Sequence, residues 1–192
     1  MDRYCISELI AWKNSSRRKP LLLLGARQVG KTWVAREFGR KYYKNIVYVR
    51  FDRDDFVRQS FEKDYNIPRL MDTLQVHSRV QIVPGETLII LDEIQDCPCA
   101  LTSLKYFCED LPEHHIIAAG SLLGLSVHTG TGFPVGKVNR VYMYPMSFSE
   151  FLEAMDYGQY AELIRKRDWR MINTFHDKFE ELLRQYYYVG GM

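Results

Sequence analysis

Apolar residues fall along this chain in short dense runs, and the segments between the runs carry them at helical spacing. Leu21 to Leu24 is a four-leucine run opened by Pro20, short and bounded like a buried strand. Ile46 to Phe51 is β-branched and aromatic, and Thr87 to Leu91 and His115 to Ala119 are apolar again; Val138 to Tyr144 completes a set of five predicted strands. Tyr4, Ile6, Leu9 and Ile10 mark a short amphipathic helix over 4–14. Val34, Ala35, Phe38 and Tyr42 mark another that starts near Lys31. Asp52 to Asp64 is charged and predicts one or two short helices. Ile67, Leu70, Met71, Leu74 and Ser78 give a further helical face. Pro98 suits a first helical turn, with Leu101, Leu104 and Cys108 pointing inward.

Later in the chain, Ser121 to Gly136 reads as a loop. Ser147-Phe148-Ser149-Glu150 reads as a capping box, with Phe148, Phe151, Leu152 and Met155 on one face. Ile172, Phe175, Phe179, Leu182, Leu183 and Tyr186 predict one long final helix. Strands separated by helices imply right-handed crossovers and a mostly parallel sheet covered on both faces. The expected fold is therefore α/β, a doubly wound five-stranded parallel sheet with helices on both faces and a helical C-terminal end. Its expected division is a core over 1–145 and a helical extension over 146–192.

Composition excludes several classes. The 192 residues carry 26 Lys+Arg against 24 Asp+Glu, a net charge of +2, which does not indicate an extended nucleic-acid surface but leaves nucleic acid possible. No run approaches the roughly 18–20 apolar residues of a membrane span, and the first residues form no secretory leader. Cys5, Cys97, Cys99 and Cys108 lack zinc-knuckle spacing and read as free thiols of a cytoplasmic protein. His114 and His115 adjoin in a strand, so their side chains point to opposite faces and do not share a metal. Arg17-Arg18-Lys19 and Arg165-Lys166-Arg167 read as solvated basic clusters.

The candidate chemistry sits after the first and third strands. Gly25-Ala26-Arg27-Gln28-Val29-Gly30-Lys31-Thr32 matches the phosphate-loop pattern G-x-x-x-x-G-K-[ST]. Glycines let successive N–H groups curl around phosphate oxygens, and the following helix aims its positive end at the anion. Lys31 supplies a cation for the β- and γ-phosphates, Thr32 a hydroxyl for Mg²⁺, and Trp33 lies next along the loop. Leu88 to Leu91 ends on Asp92-Glu93. Asp92 suits the Mg²⁺ shell, and Glu93 can polarise a water for in-line attack on the γ-phosphate. Ser121, just past the fourth strand, reaches the γ-phosphate if that strand lies between the phosphate-loop strand and the Asp92 strand. Lys137 and Arg140 read as surface charges in preference to cations acting on a neighbouring subunit.

These segments resemble a known group. The phosphate loop, Leu91-Asp92-Glu93-Ile94-Gln95, Ala119-Gly120-Ser121 and the box Tyr144-Pro145-Met146-Ser147-Phe148-Ser149-Glu150-Phe151-Leu152 together look like the AAA-type P-loop ATPases of prokaryotes. In that family an N-terminal ATPase domain precedes a nuclease-like C-terminal domain. The resemblance covers about residues 3–192. It implies ATP and Mg²⁺ as ligands, Lys31 and Thr32 on phosphate and metal, Asp92 on Mg²⁺, Glu93 as the water-activating carboxylate and Ser121 as a sensor. It also implies a homo-oligomer or a C-terminal effector domain as partner.

Two departures stand out. Many members carry Gly-Arg before the fifth strand, where this chain has Gly136-Lys137, and lysine lacks the bidentate guanidinium clamp. The family also runs on past the Gly-Gly-Met, so the resemblance implies a domain cut at a junction, with Tyr186-Tyr187-Tyr188 left without its packing partner as an exposed apolar patch prone to self-association. The functional expectation is an Mg-dependent ATPase that couples nucleotide state to a partner. The alternative is a nucleotide-dependent switch with little turnover. The acidic pair argues against a small-molecule kinase.

Overall fold

The computed structural model describes residues 3–121 and 133–191. The segment Ser121 to Gly136, read as a loop, lies largely outside the described residues.

In chain order the elements are α1 (Cys5–Asn14), β1 (Leu21–Gly25), α2 (Lys31–Tyr42), β2 (Asn45–Arg50), α3 (Asp55–Lys63) and α4 (Ile67–Ser78). There follow β3 (Thr87–Asp92), a one-turn 3₁₀ helix (Ile94–Asp96), α5 (Pro98–Asp110), β4 (His115–Ser121) and β5 (Asn139–Met143). Four helices end the described chain: α6 (Phe148–Ala154), α7 (Gly158–Lys166), α8 (Trp169–Thr174) and α9 (His176–Val189).

The five strands form one parallel sheet in the order β2-β3-β4-β1-β5. β4 lies between β1 and β3, the placement on which the reading of Ser121 depended. β1, β3 and β4 are buried on both faces along their whole length, which is why they read as unbroken apolar runs and not as alternating ones. One layer of core gathers Leu22, Val47, Ile89 and Ala118 beneath α3, α4 and α5. The other gathers Leu21, Leu23, Ile90 and Ile117 with Leu9 and Phe38 from α1 and α2. Each fully buried leucine of β1 contributes roughly 1.5–3 kcal/mol.

A third, separate apolar cluster is built by Phe151, Leu152, Ala161, Phe179 and Leu182 of the C-terminal helices.

Local chemistry sets the boundaries. The Asp54 carboxylate accepts the Val57 N–H and starts a single helix, α3, in the charged stretch. Asn66 does the same for α4 through the Arg69 N–H. The Ser147–Glu150 capping box forms in full.

Several expectations need correction. The predicted final helix is two, α8 and α9. Asp168 caps α8 through the Met171 N–H, and the Thr174 hydroxyl bonds back to the Arg170 carbonyl, an interaction that bends or ends helices. α7 had no counterpart in the sequence reading. On α5, Phe107 is the fully inward residue while Cys108 is half-buried, and Met155 is exposed. β4 continues through Gly120 to Ser121. Arg18 is half-buried and donates to the Lys13 carbonyl, and Lys19 donates to the Gly136 carbonyl, so both hold the approach to β1 in place.

Candidate nucleotide site

The phosphate loop leaves the end of β1, in the interior of the sheet. Gly25 is required by space: a Cβ there would come within 2.2 Å of the Met143 carbonyl oxygen on β5. Gly30 caps α2 at φ 91°, a conformation side chains resist. Gln28 takes φ 65° without being glycine, and the loop turns on it. Val29 is buried in the core behind the loop. Lys31 is also buried, and its ammonium donates to the Gly25 and Ala26 carbonyls at 3.2 and 2.5 Å. Burial lowers its pKa from the ordinary lysine value, and the Glu93 and Asp92 carboxylates pull the other way.

The acidic strand end faces this loop across β4. The Thr32 hydroxyl donates to Asp92 Oδ2 at 2.7 Å, joining α2 to β3. The Tyr48 hydroxyl on β2 donates to the same oxygen at 2.9 Å, and the Glu93 N–H to Oδ1 at 3.1 Å. Burial first, then the adjacent Asp92 charge, raises the Tyr48 pKa, so the phenol stays a donor.

Asp92 is 2% exposed. Among the described residues its hydrogen-bond partners are neutral donors, and no Lys or Arg forms an ion pair with it. A desolvated carboxylate beside a hydroxyl, with no cation in ion-pair contact, is a donor set that fits a hard divalent ion such as Mg²⁺.

Glu93 holds φ 53°, ψ 45°, a left-handed turn at the mouth of the site. Its Oε2 accepts from Gln95 Nε2 at 2.6 Å. A cavity of about 540 Å³ opens between the loop and this turn, lined by Lys31, Thr32, Trp33, Glu93, Gln95 and Asp52, with Arg27, Gln28, Gly30 and Asp96 completing the wall. Arg27 and Gln28 are exposed there.

Gly25, Ala26, Val29, Asp92 and Ser121 are not among the lining residues. Ser121 ends β4 opposite Gly25, is 4% exposed, and gives its N–H to Gln95 Oε1 at 3.2 Å. Lys137 stands before the first residue of β5, at the opposite end of the sheet from the loop, where it pairs with Glu109 at 2.8 Å. Arg140 lies over the Phe133 ring.

The sequence reading missed the support behind the loop. Arg3 is buried and donates through Nε to Glu150 Oε1 (3.0 Å) and through its two Nη atoms to the Val29 and Tyr144 carbonyls (3.2 and 2.6 Å). One side chain thus joins the phosphate loop, the end of β5 and the start of α6. It also missed Asp52 and Tyr48.

A phosphate loop on a central strand, facing an acidic strand end two strands away in a parallel sheet, defines an AAA-type P-loop nucleotide-binding domain. Residues 17–152 match the family model described as AAA domain, and the chain belongs to that family.

Solved structures share the fold. The Drosophila ORC bound to DNA matches with a TM-score of 0.58 at 16% identity, over 96% of this chain and 56% of that one. The Aeropyrum pernix ORC2 protein in its ADPNP-ADP complexes gives 0.53 at 12%, over 83% and 52%. The Aeropyrum pernix ORC1 protein in complex with DNA gives 0.52 at 16%, over 80% and 49%. This chain spans about half the length of those proteins. No curated protein matches the sequence.

Among the described residues no helix is long and apolar enough to cross a membrane. Among the same residues no group of three or more His, Cys, Asp or Glu is placed to hold a metal, and all four cysteines are free. His115 is buried against the Tyr43 hydroxyl at 2.6 Å, while the His114 side chain lies toward Glu113.

Proposed function

We propose that this domain binds Mg-ATP and hydrolyses its γ-phosphoryl bond. The observation that carries the reading is the contact between Thr32 and Asp92, which ties the acidic strand end to the phosphate loop just behind the cavity that Thr32, Lys31 and Glu93 line.

The loop N–H groups and the α2 N-terminus hold the phosphates. Lys31 leaves the loop carbonyls for the β- and γ-phosphate oxygens. Thr32 and Asp92 hold the metal, which when bound neutralises charge developing on the phosphates. Glu93 accepts a hydrogen bond from the attacking water and aligns it. Ser121, at the end of the strand between the two motifs, senses the γ-phosphate. Residues 1–145 act as the ATPase core and 146–192 as a helical extension that passes the nucleotide state to a partner or effector domain.

Lys31→Ala is expected to abolish nucleotide binding. Glu93→Gln is expected to keep binding and lose at least 100-fold in turnover. Normal hydrolysis by Glu93→Gln would sink the assignment.

A second reading, a nucleotide-held switch with slow turnover, draws on Lys137. Lys137 pairs with Glu109 at the end of the sheet away from the loop, and Arg140 of β5 lies over the Phe133 ring, so neither cation stands at the loop of its own subunit. Single-turnover rates set against steady-state rates over a range of protein concentrations separate the two: a rate per subunit that rises with concentration marks activation in trans. DNA appears in the names of two similar structures, but at 12–16% identity the likeness is one of fold, and no DNA-dependent role is proposed.

A further inference from the structure

We propose that Gln95 is the positioning residue for Glu93, fixing its carboxylate and tying it to the end of β4. The proposal rests on the reading of Glu93 as the water-aligning carboxylate.

The geometry begins in the backbone. Glu93 adopts φ 53°, ψ 45°, a left-handed conformation that a side-chain-bearing residue seldom takes. The turn ends β3 abruptly and starts the 3₁₀ helix at once, with the Asp96 N–H on the Glu93 carbonyl at 2.9 Å and the Cys97 N–H on the Ile94 carbonyl at 3.1 Å. Ile94, fully buried, anchors that turn in the core. Residue 95 is thereby brought back over residue 93.

The Gln95 amide is then used at both ends. Nε2 donates to Glu93 Oε2 at 2.6 Å, and Oε1 accepts the Ser121 N–H at 3.2 Å. The two partners fix its orientation. A flipped amide would set its carbonyl against a carboxylate and its NH₂ against an N–H, losing both bonds. Gln95 is 9% exposed; its bond to Ser121 is buried and its bond to Glu93 part-buried at the cavity wall.

Ser121 in turn lies in register with Gly25, which opens the phosphate loop. A continuous line therefore runs from the start of the loop through the end of β4 and the Gln95 amide to the Glu93 carboxylate. With Oε2 held by Gln95, the water falls to Oε1, whose direction is set by the same bond. A carboxylate aligned in this way acts on one water position; released, it samples several rotamers and loses part of the roughly 10²–10⁴-fold effect of a placed general base.

The test uses Gln95→Met, which keeps length and bulk and removes both hydrogen bonds, and Gln95→Glu, which keeps the acceptor for Ser121 but sets a second carboxylate on Glu93. Both should melt as cooperatively as the wild type. For each, turnover should fall about 10–100-fold while ATP affinity, read from fluorescence of the cavity-lining Trp33, stays within about threefold. In a Glu93→Gln background, Gln95→Met should slow single turnover no further, because the group it positions is already gone.

Wild-type turnover by Gln95→Met beside an inactive Glu93→Gln overturns the Gln95 assignment alone. A further slowing of Glu93→Gln by the full factor overturns it too, since the two residues would then act independently. Loss of ATP affinity equal to the loss of turnover assigns Gln95 to binding and also refutes the proposal. Normal turnover by Glu93→Gln overturns the reading of the site itself, and this inference with it.

Discussion

Glu150→Ala should be strongly destabilising although it lies outside the nucleotide cavity. Glu150 and Arg3 are 6% and 7% exposed, and the carboxylate receives four donors: Arg3 Nε and the Tyr4 N–H on Oε1, and the Ser147 N–H and hydroxyl on Oε2. Truncation removes the capping-box partner and leaves a guanidinium buried without its counter-charge. Breaking a buried pair from one side costs about 3–5 kcal/mol. In a chain of this length each kcal/mol lowers the melting temperature by roughly 2–4 °C, so a drop of about 6–20 °C is expected in differential scanning calorimetry. Glu150→Gln, which keeps one acceptor oxygen, for the Tyr4 N–H or for the Ser147 N–H but not for both, should cost less. Combined with Arg3→Met it should cost less than the two single changes added, because no unpaired charge is then left inside.

Acid titration supplies a second handle on the same carboxylate. Burial alone would raise the Glu150 pKa, but the hydrogen bonds from Ser147, Tyr4 and Arg3 outweigh it and hold it below the ordinary value. The stabilisation is therefore complete above the unfolded carboxyl pKa of about 4.3 and is lost as pH falls through the lower folded value. Glu150→Gln should lack that component. Because Arg3 also holds the Val29 carbonyl of the phosphate loop, ATP affinity should weaken alongside stability. A loss below about 1 kcal/mol for Glu150→Ala, the scale of an exposed pair, would refute the reasoning.

Gly25→Ala should disrupt the loop, since its Cβ would meet the Met143 carbonyl oxygen at 2.2 Å; ATP affinity is expected to fall at least tenfold by isothermal titration. Burial first, then the charges of Arg18, Lys13 and His114, pushes the His115 pKa down to about 4. Folded His115 therefore resists a proton that the unfolded chain accepts below about pH 6.5. Stability should drop by about 2 kcal/mol between pH 7 and pH 5 in urea unfolding, and His115→Gln should flatten that slope.

Much of the fold was legible because its signals are local. Leu21 to Leu24 and Thr87 to Leu91 are buried on both faces and show it as unbroken apolar runs. The phosphate loop is contiguous, and the Ser147–Glu150 box closes within one turn. What escaped is long-range or depends on backbone conformation. Arg3 is an ordinary surface residue by sequence, and its partner lies 147 positions away. Tyr48 reaches Asp92 only because β2 pairs with β3. Gln95 meets Glu93 through a left-handed turn that no residue type announces. The separation of α8 from α9 rests on Thr174 bonding back to Arg170 inside an otherwise regular apolar pattern. The aromatic run divides in two: Tyr186 packs on Phe148 and Phe151 and donates to the Met146 carbonyl, while Tyr187 and Tyr188 are exposed.

The sheet order has a consequence for how the chain is made. β1 pairs only with β4 and β5, and β4 begins 94 residues after β1 starts. On a ribosome adding about 5–20 residues per second, the four leucines of β1 emerge roughly 5–20 s before either neighbouring strand exists. During that interval the strand that will present the phosphate loop is an unpaired, wholly apolar segment, the kind that chaperones hold and that aggregates when they do not. The loop cannot take its final shape in a nascent chain until Met143, whose carbonyl closes against Gly25, has been synthesised. Nucleotide binding should therefore wait for β5, although the residues that carry the motif are made well before it.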